Sequence, residues 1–278
     1  CYNIADTLIV GQCIGANALA AVGSAYTLMV FLISILLGLS MGSGTVFSLQ
    51  YGAGDLSALR RSIYVSFLLI GTVTILLNVA VFLWLDPILR WLQVPYDIYS
   101  LMRNYLWIIF WGIVFTFLYN FYAALLRAVG DSVTPLWFLA VSVVLNIGLD
   151  LFLILVLDQG IEGAAVATVI AQGTAASGIL LYTYKIRPEL RLHREDMRFD
   201  RSSLREITSF STLTCVQQSV MNFGILMVQG LVNSFGTVVM AAFAAAVYAR
   251  SGVRECFFHL HCPEFRSAER GSHPPGSA

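Results

Sequence analysis

Charge is what this sequence has least of. Only 12% of its 278 residues are Asp, Glu, Lys or Arg, about half the ~25% of a soluble domain. A chain this poor in charge cannot cover a water-facing surface, which excludes a soluble enzyme of one or two domains. Net charge is absent too, at +0, so there is no basic field for nucleic acid. The five cysteines are scattered and form no disulfide framework. Prolines number only 7, and with no collagen period and few polar tracts, disorder and triple helices are excluded. What the chain does have is apolar sequence, 58% of it, in continuous rather than alternating runs. Continuous runs exclude a β-barrel and leave an all-α polytopic membrane protein.

Six stretches are long enough to span a bilayer: Ala18–Leu49, Ser62–Leu85, Leu101–Leu125, Val133–Leu157, Gly160–Tyr184 and Thr208–Phe235. A stub at Cys1–Gly15 reads as the second half of a further span, and another begins near Thr237 and breaks off near Val247. Residue 1 is Cys, followed at once by apolar sequence, so the chain is expected to start in mid-protein rather than at a lipid-modified terminus. Arg60 and Arg61, then Arg127, then Lys185, Arg187, Arg191, Arg194, Arg198, Arg201 and Arg205 occupy every second connection. The positive-inside rule makes these connections cytoplasmic and the protein a multi-pass component of the cell membrane. The polar stretch Arg187–Glu206 reads as a cytoplasmic linker between two membrane units.

An internal repeat supports two units. Ile14-Gly15-Ala16-Asn17-Ala18-Leu19-Ala20-Ala21-Val22 recurs 221 residues later as Phe235-Gly236-Thr237-Val238-Val239-Met240-Ala241-Ala242-Phe243. Five spans and the linker separate the copies, so one unit has six spans. An even number makes the repeat parallel, related by an axis along the membrane normal.

Most spans carry no charge in their middle; Asp150 and Asp6 are exceptions. A carboxylate in hydrocarbon costs at least ~2.5–3.5 kcal/mol, so it is expected to face a cavity or a partner. Asn146 and Asp150, four apart, share a helix face. Counting from the turn near Asp158 at 1.5 Å per residue places Asp150 and Thr168 about 12 Å below one surface, with Asn146 a turn deeper. Asp6, counted from the turn near Gly15, falls at a similar depth. Carboxylate, amide and hydroxyl oxygens suit a hard cation such as Na⁺, and paired carboxylates can equally take up and release a proton. The competing reading makes the acids structural bridges, and for Thr168 alone the ordinary back-bond of a membrane threonine explains as much. Tyr105 lies within reach near the end of its span, though an interfacial aromatic fits that position equally. Gly160, Gly163, Ala164 and Ala167 form a small-residue face suited to close helix packing.

Several segments resemble the multidrug and toxic compound extrusion (MATE) transporters. The opening Tyr2-Asn3-Ile4-Ala5-Asp6-Thr7 with Gly15 and Ala18-Leu19-Ala20-Ala21-Val22 is similar to the start of that family. Gln50-Tyr51-Gly52-Ala53-Gly54 resembles its loop after the second helix, and Leu126-Arg127-Ala128-Val129-Gly130-Asp131-Ser132 with Pro135 its fourth loop. The most specific part is Leu145-Asn146-Ile147-Gly148-Leu149-Asp150 followed by Gly160 and Gly163-Ala164-Ala165-Val166-Ala167-Thr168.

The resemblance implies a six-helix N-lobe of a two-lobe (6+6) transporter plus the start of the C-lobe. The N-lobe would take residues 1–186, the linker 187–206, and the start of the C-lobe 207–247. It implies antiport, with Na⁺ or H⁺ entering as an organic, often cationic, drug or toxin leaves. Its cation site maps onto Asp6, Asn146, Asp150 and Thr168, and a fourth-helix tyrosine onto Tyr105. Beyond the coupling ion no cofactor is implied; membrane lipid, substrate and cation are the expected partners, and the full-length protein is expected to be monomeric. Lipid-linked oligosaccharide flippases share the architecture, but the Asn146/Asp150 pair favours the drug-efflux branch. A channel or a structural membrane component is the rival from another class. An enzyme is not expected, since no nucleophilic or metal constellation lies at a membrane face.

Residues 248–278 depart from this pattern, turning polar directly after a helix has begun. Cys256, His259, His261 and Cys262 are zinc-ligand types, but their spacing is too tight for an ordinary finger. Back-translation permits a family-like sequence in a shifted frame, so the tail is expected to be out of frame and the chain by itself not to transport.

Overall fold

In the computed structural model of the chain, residues 9–11, 13–192, 196, 200–243 and 246 are described. Every regular element among the described residues is helical. The long helices are α1 (Ala16–Gly52), α2 (Leu56–Trp91), α3 (Tyr96–Trp111), α4 (Ile113–Ala128), α5 (Val133–Leu151), α6 (Gly160–Ile186) and α7 (Arg201–Asn233). A π-helical turn, Phe152–Val156, extends α5, and a 3₁₀ turn, Pro188–Leu190, follows α6. Helical residues 237–243 begin one more helix. Among the described residues five helices are long and apolar enough to cross a bilayer, and α3 with α4, bent by 46°, makes a sixth. The expected tail, residues 248–278, lies outside the described residues.

Two departures from the expected spans have local causes. The third span is broken between Trp111 and Ile113. Gly112, at the bend, lets α6 approach closely, since a Cβ there would lie 2.9 Å from Gln172 Oε1 and 3.1 Å from Val169 Cγ2. Free backbone groups in hydrocarbon need partners, and side chains supply them. Asn78 Nδ2 donates to the Phe110 carbonyl (2.7 Å), while Thr116 Oγ1 reaches both the Gly112 carbonyl (3.2 Å) and Gln172 Oε1 (3.0 Å). The second departure is α7, which starts at Arg201 rather than Thr208. Asp200 caps it, accepting from the Ser202 and Ser203 amides (3.1 and 3.3 Å), so its first two turns are polar and invisible to a hydropathy count.

The repeat is visible in the backbone. Gly15 (φ 116°) precedes α1, and Gly236 (φ 91°) precedes the helix at 237. Both need the positive φ that glycine tolerates. Leu19 N–H donates to the Gly15 carbonyl and Met240 N–H to that of Gly236, each at 3.1 Å.

Helix α1 is the hub, packed on α2, α3, α4 and α7. An aromatic cluster of Phe47, Phe67, Phe117 and Phe121 joins it to α2 and α4, with ring centroids 5.4–6.1 Å apart. Antiparallel α7 lies along the whole of α1, and glycines let the backbones touch. A Cβ on Gly38 would lie 2.8 Å from Cys215 N, and one on Gly42 2.6 Å from Ser211 N.

One end of the bundle carries a charge network. Asp131 accepts from the Thr134 amide (3.1 Å) and hydroxyl (2.8 Å) and pairs with Arg187 (3.6 Å). Burial, the largest single influence, pushes its carboxyl up, but those hydrogen bonds and the Arg187 charge together leave it below the usual range. Arg187 also pairs with Glu189 (3.5 Å), and Arg60 Nε donates to the Glu189 carbonyl (3.0 Å). The segment after α6 is thereby tied to the start of α2 and to the turn before α5.

Gly42→Ala should destabilise the fold by about 1–3 kcal/mol, since the added methyl meets backbone. Gly224→Ala, with nothing within 4 Å of the new atom, should be neutral or stabilising by about 0.5–1 kcal/mol; thermal unfolding in detergent compares them. Asp200 predicts a pH effect. Hydrogen bonds from the Ser202 and Ser203 side chains hold its carboxyl down at about 2, against an ordinary 3.8. Its cap is therefore complete above pH 3.8 and lost as pH falls through about 2. Asp200→Ala should speed amide exchange at Ser202 and Ser203 at neutral pH, with no change around Gln229.

Candidate functional site

Helix α5 has its polarity turned inside out. Leu136, Trp137, Leu139, Val141 and Val144 are exposed on one side, whereas the buried residues are Pro135, Ser142, Asn146 and Asp150. Three of these recur every fourth residue and so form one stripe. In hydrocarbon the apolar face can meet lipid, and the polar stripe must turn inward. It turns onto α6, whose facing surface is made of small residues. Gly163, Ala164, Ala167, Thr168 and Ala171 are all buried, and a Cβ on Gly163 would lie 3.2 Å from that of Leu153. Of the expected small-residue face, Gly163, Ala164 and Ala167 are buried. Gly160 sits in the turn at φ 58°.

The stripe meets α6 rung by rung. Ser142 Oγ donates to the Ala171 carbonyl at 2.9 Å. Asn146 Nδ2 donates to Thr168 Oγ1 at 3.4 Å, and that hydroxyl donates to the Ala164 carbonyl at 2.9 Å. Asn146 Oδ1 is buried and accepts no hydrogen bond among the described residues. Asp150 follows one turn on, its side chain fully buried. Across the α5–α6 hairpin, Thr168 is hydrogen-bonded to Asn146, one turn from Asp150 on the same stripe.

Tyr105 is only 5% exposed and lies in the main apolar core on α3, which packs against α6. It is therefore inside the bundle rather than on a lipid-facing belt. Asp6 lies outside the described residues. Hydropathy does not single out Ser142, although its four-residue spacing from Asn146 is a signal that could have found it. Thr116 and Gln172 also escape the sequence. They border a cleft with Met29, Leu32 and Ile33, and only the break in α3–α4 makes them neighbours.

Chemically, the Asn146–Thr168–Asp150 group offers oxygens alone: an amide carbonyl with a free lone pair, a hydroxyl and a carboxylate. Among the described residues no cluster of three or more His, Cys, Asp or Glu exists to hold a transition metal. Such a donor set suits a hard monovalent cation or a proton.

Comparisons with known proteins agree with the fold. The MatE family model matches residues 1–152. The chain is 34% identical over 244 residues to the probable multidrug resistance protein YpnP of Bacillus subtilis (strain 168), covering 88% of this chain and 54% of that protein. It is 28% identical over 259 residues to the probable multidrug resistance protein NorM of Thermotoga maritima, covering 90% and 54%. The chain thus spans about half the length of the curated relatives it matches. Among solved structures, the MATE multidrug transporter DinF-BH superposes with a TM-score of 0.82 at 25% identity, covering 89% of this chain and 56% of that one. The inward-facing conformation of a multidrug resistance MATE family transporter superposes with a TM-score of 0.80 at 23% identity, covering 88% and 56%. With a family model matched over more than half of its residues and a helical fold shared with solved members, the chain belongs to the MatE family, the multidrug and toxic compound extrusion transporters.

Proposed function

We propose that this chain forms the cation-coupling lobe of a secondary antiporter, in which Na⁺ or H⁺ enters as an organic, often cationic, compound is exported. The observation that carries this reading is the inverted polarity of α5, whose Ser142–Asn146–Asp150 stripe is buried on α6 beside Thr168. A buried carboxylate one turn from an amide carbonyl with an open lone pair is costly to keep in a membrane. A cation or proton taken up there cancels the charge and removes that cost, so occupancy and conformation become linked. The names of the relatives as multidrug resistance proteins support efflux of organic compounds. Asp6 belongs to the same proposed site. Tyr105, buried on the helix packed against α6, is its proposed neighbour.

The bundle end that carries Arg60, Arg127, Asp131 and Arg187 is assigned to the cytoplasm on the positive-inside rule, in the cell membrane. The Leu92 and Gly15 turns then lie on the outer side. A second six-helix lobe is expected to face this one in the complete protein. Cation binding on one side and substrate release on the other follow by alternating access.

Asp150→Asn in the full-length transporter should abolish ion-driven efflux while leaving insertion and folding intact. Dye uptake into inverted vesicles, with Na⁺ and proton gradients imposed separately, measures this and identifies the coupling ion; unchanged uptake would remove Asp150 from the mechanism. Thr168→Val should lower stability by about 1 kcal/mol by stranding the Asn146 amide donor, and Thr168→Ser should restore it. The thermal midpoint of the wild type should rise with the coupling ion, and that rise should be absent in Asp150→Asn.

A further inference from the structure

The seam between α1 and α7 is not uniform along its length. Near Gly38 and Gly42 the two backbones touch, and Ser211 Oγ donates to the Leu39 carbonyl at 3.1 Å. Roughly eighteen residues away on each helix, about 27 Å along the axis, the seam is closed by side chains. Gln229 Nε2 donates to Ser24 Oγ (2.9 Å) and to Asn233 Oδ1 (2.9 Å), and Gln229 Oε1 accepts from Thr27 Oγ1 (3.2 Å). Ser24 Oγ donates to Asn233 Oδ1 (3.1 Å), and Asn233 Nδ2 donates to the Leu92 carbonyl in the turn between α2 and α3 (2.9 Å). All four side chains are buried, and every donor and acceptor of the two amides but one N–H of Asn233 has a partner here.

We infer that this cluster is a reversible polar latch across the outer end of the seam, and that the glycine end is the pivot about which α7 swings. The inference rests on the alternating-access reading and extends it to a specific gate. The physical ground is the difference between the two ends. Backbone contact at Gly38 and Gly42 is van der Waals packing that nothing replaces once it is lost. Hydrogen bonds at Ser24, Thr27, Gln229 and Asn233 are exchanged for water when the seam opens, so each contributes only a small net preference for closure. A wholly apolar seam in that place would expose hydrocarbon to the vestibule and resist wetting. A polar seam opens and recloses at low cost, and its bond to the Leu92 carbonyl ties that motion to the α2–α3 turn. The cluster shares no residue with Asn146, Asp150 or Thr168, so it gates without binding the cation.

Two replacements of Gln229 test this with opposite expected signs. Gln229→Leu combined with Ser24→Ala, Thr27→Val and Asn233→Leu makes the seam apolar without stranding a buried amide and should hold it shut. Gln229→Glu puts an ionisable carboxyl into the closed seam and should open it, increasingly as pH rises and the group ionises. Spin labels at exposed positions 17 and 234 read the outer end, and labels at exposed positions 48 and 205 read the inner end, by pulsed electron–electron distance measurement in the full-length protein with native cysteines replaced. Each variant should move the outer closed-to-open ratio by roughly threefold or more, the equivalent of one interhelical hydrogen bond, and should leave the inner distance in place. Shifts in the same direction, or none in either variant, would overturn the latch. The readout is a distance distribution in the absence of transport, so it stands or falls separately from ion-driven efflux and the role of Asp150.

Discussion

Hydrocarbon offers no hydrogen-bond partner, and that constraint organises the whole bundle. Every polar group within the spans has to find a protein partner or turn toward a shared interior. On α5 the consequence is direct. The helix shows lipid its Leu, Val and Trp side and presses Ser142, Asn146 and Asp150 onto the alanine- and glycine-rich face of α6. The same requirement is met at the Gly112 bend, where Asn78 takes up the Phe110 carbonyl and the Thr116 hydroxyl links the Gly112 carbonyl to Gln172 Oε1.

Two of the places where polar groups collect differ in chemistry. The α5–α6 interface holds a carboxylate with amide and hydroxyl oxygens, a set whose charge depends on what it binds. The α1–α7 seam holds only neutral amides and hydroxyls, closed upon one another. The first group carries an ionisable carboxyl, whereas the second is neutral throughout. Helix α1 packs on α2, α3, α4 and α7, and α3 and α4 in turn pack on α6.

Much of this is legible in the sequence because hydropathy and periodicity are local. The six spans appear as six apolar stretches, and the repeat of Ile14–Val22 at Phe235–Phe243 marks two equivalent helix starts. The four-residue spacing of Asn146 and Asp150 places them on one face. Ser142 continues that spacing, but a hydroxyl is cheap to bury in a membrane helix and so stands out less than an acid. The polar first turns of α7 read as linker because capping by Asp200, not hydropathy, starts that helix.

By itself the sequence determined the class of molecule, the order of its apolar spans and the shared face of Asn146 and Asp150, since these follow from composition and from spacing along one chain. Which residues meet was decided only by tertiary structure. The bond of Asn146 to Thr168 joins positions 22 residues apart across the α5–α6 hairpin. The contact of Ser24 with Gln229 and Asn233 joins positions 205 and 209 residues apart. Its partners carry no periodic signal that links them, because the link is the close approach of two backbones at Gly38 and Gly42.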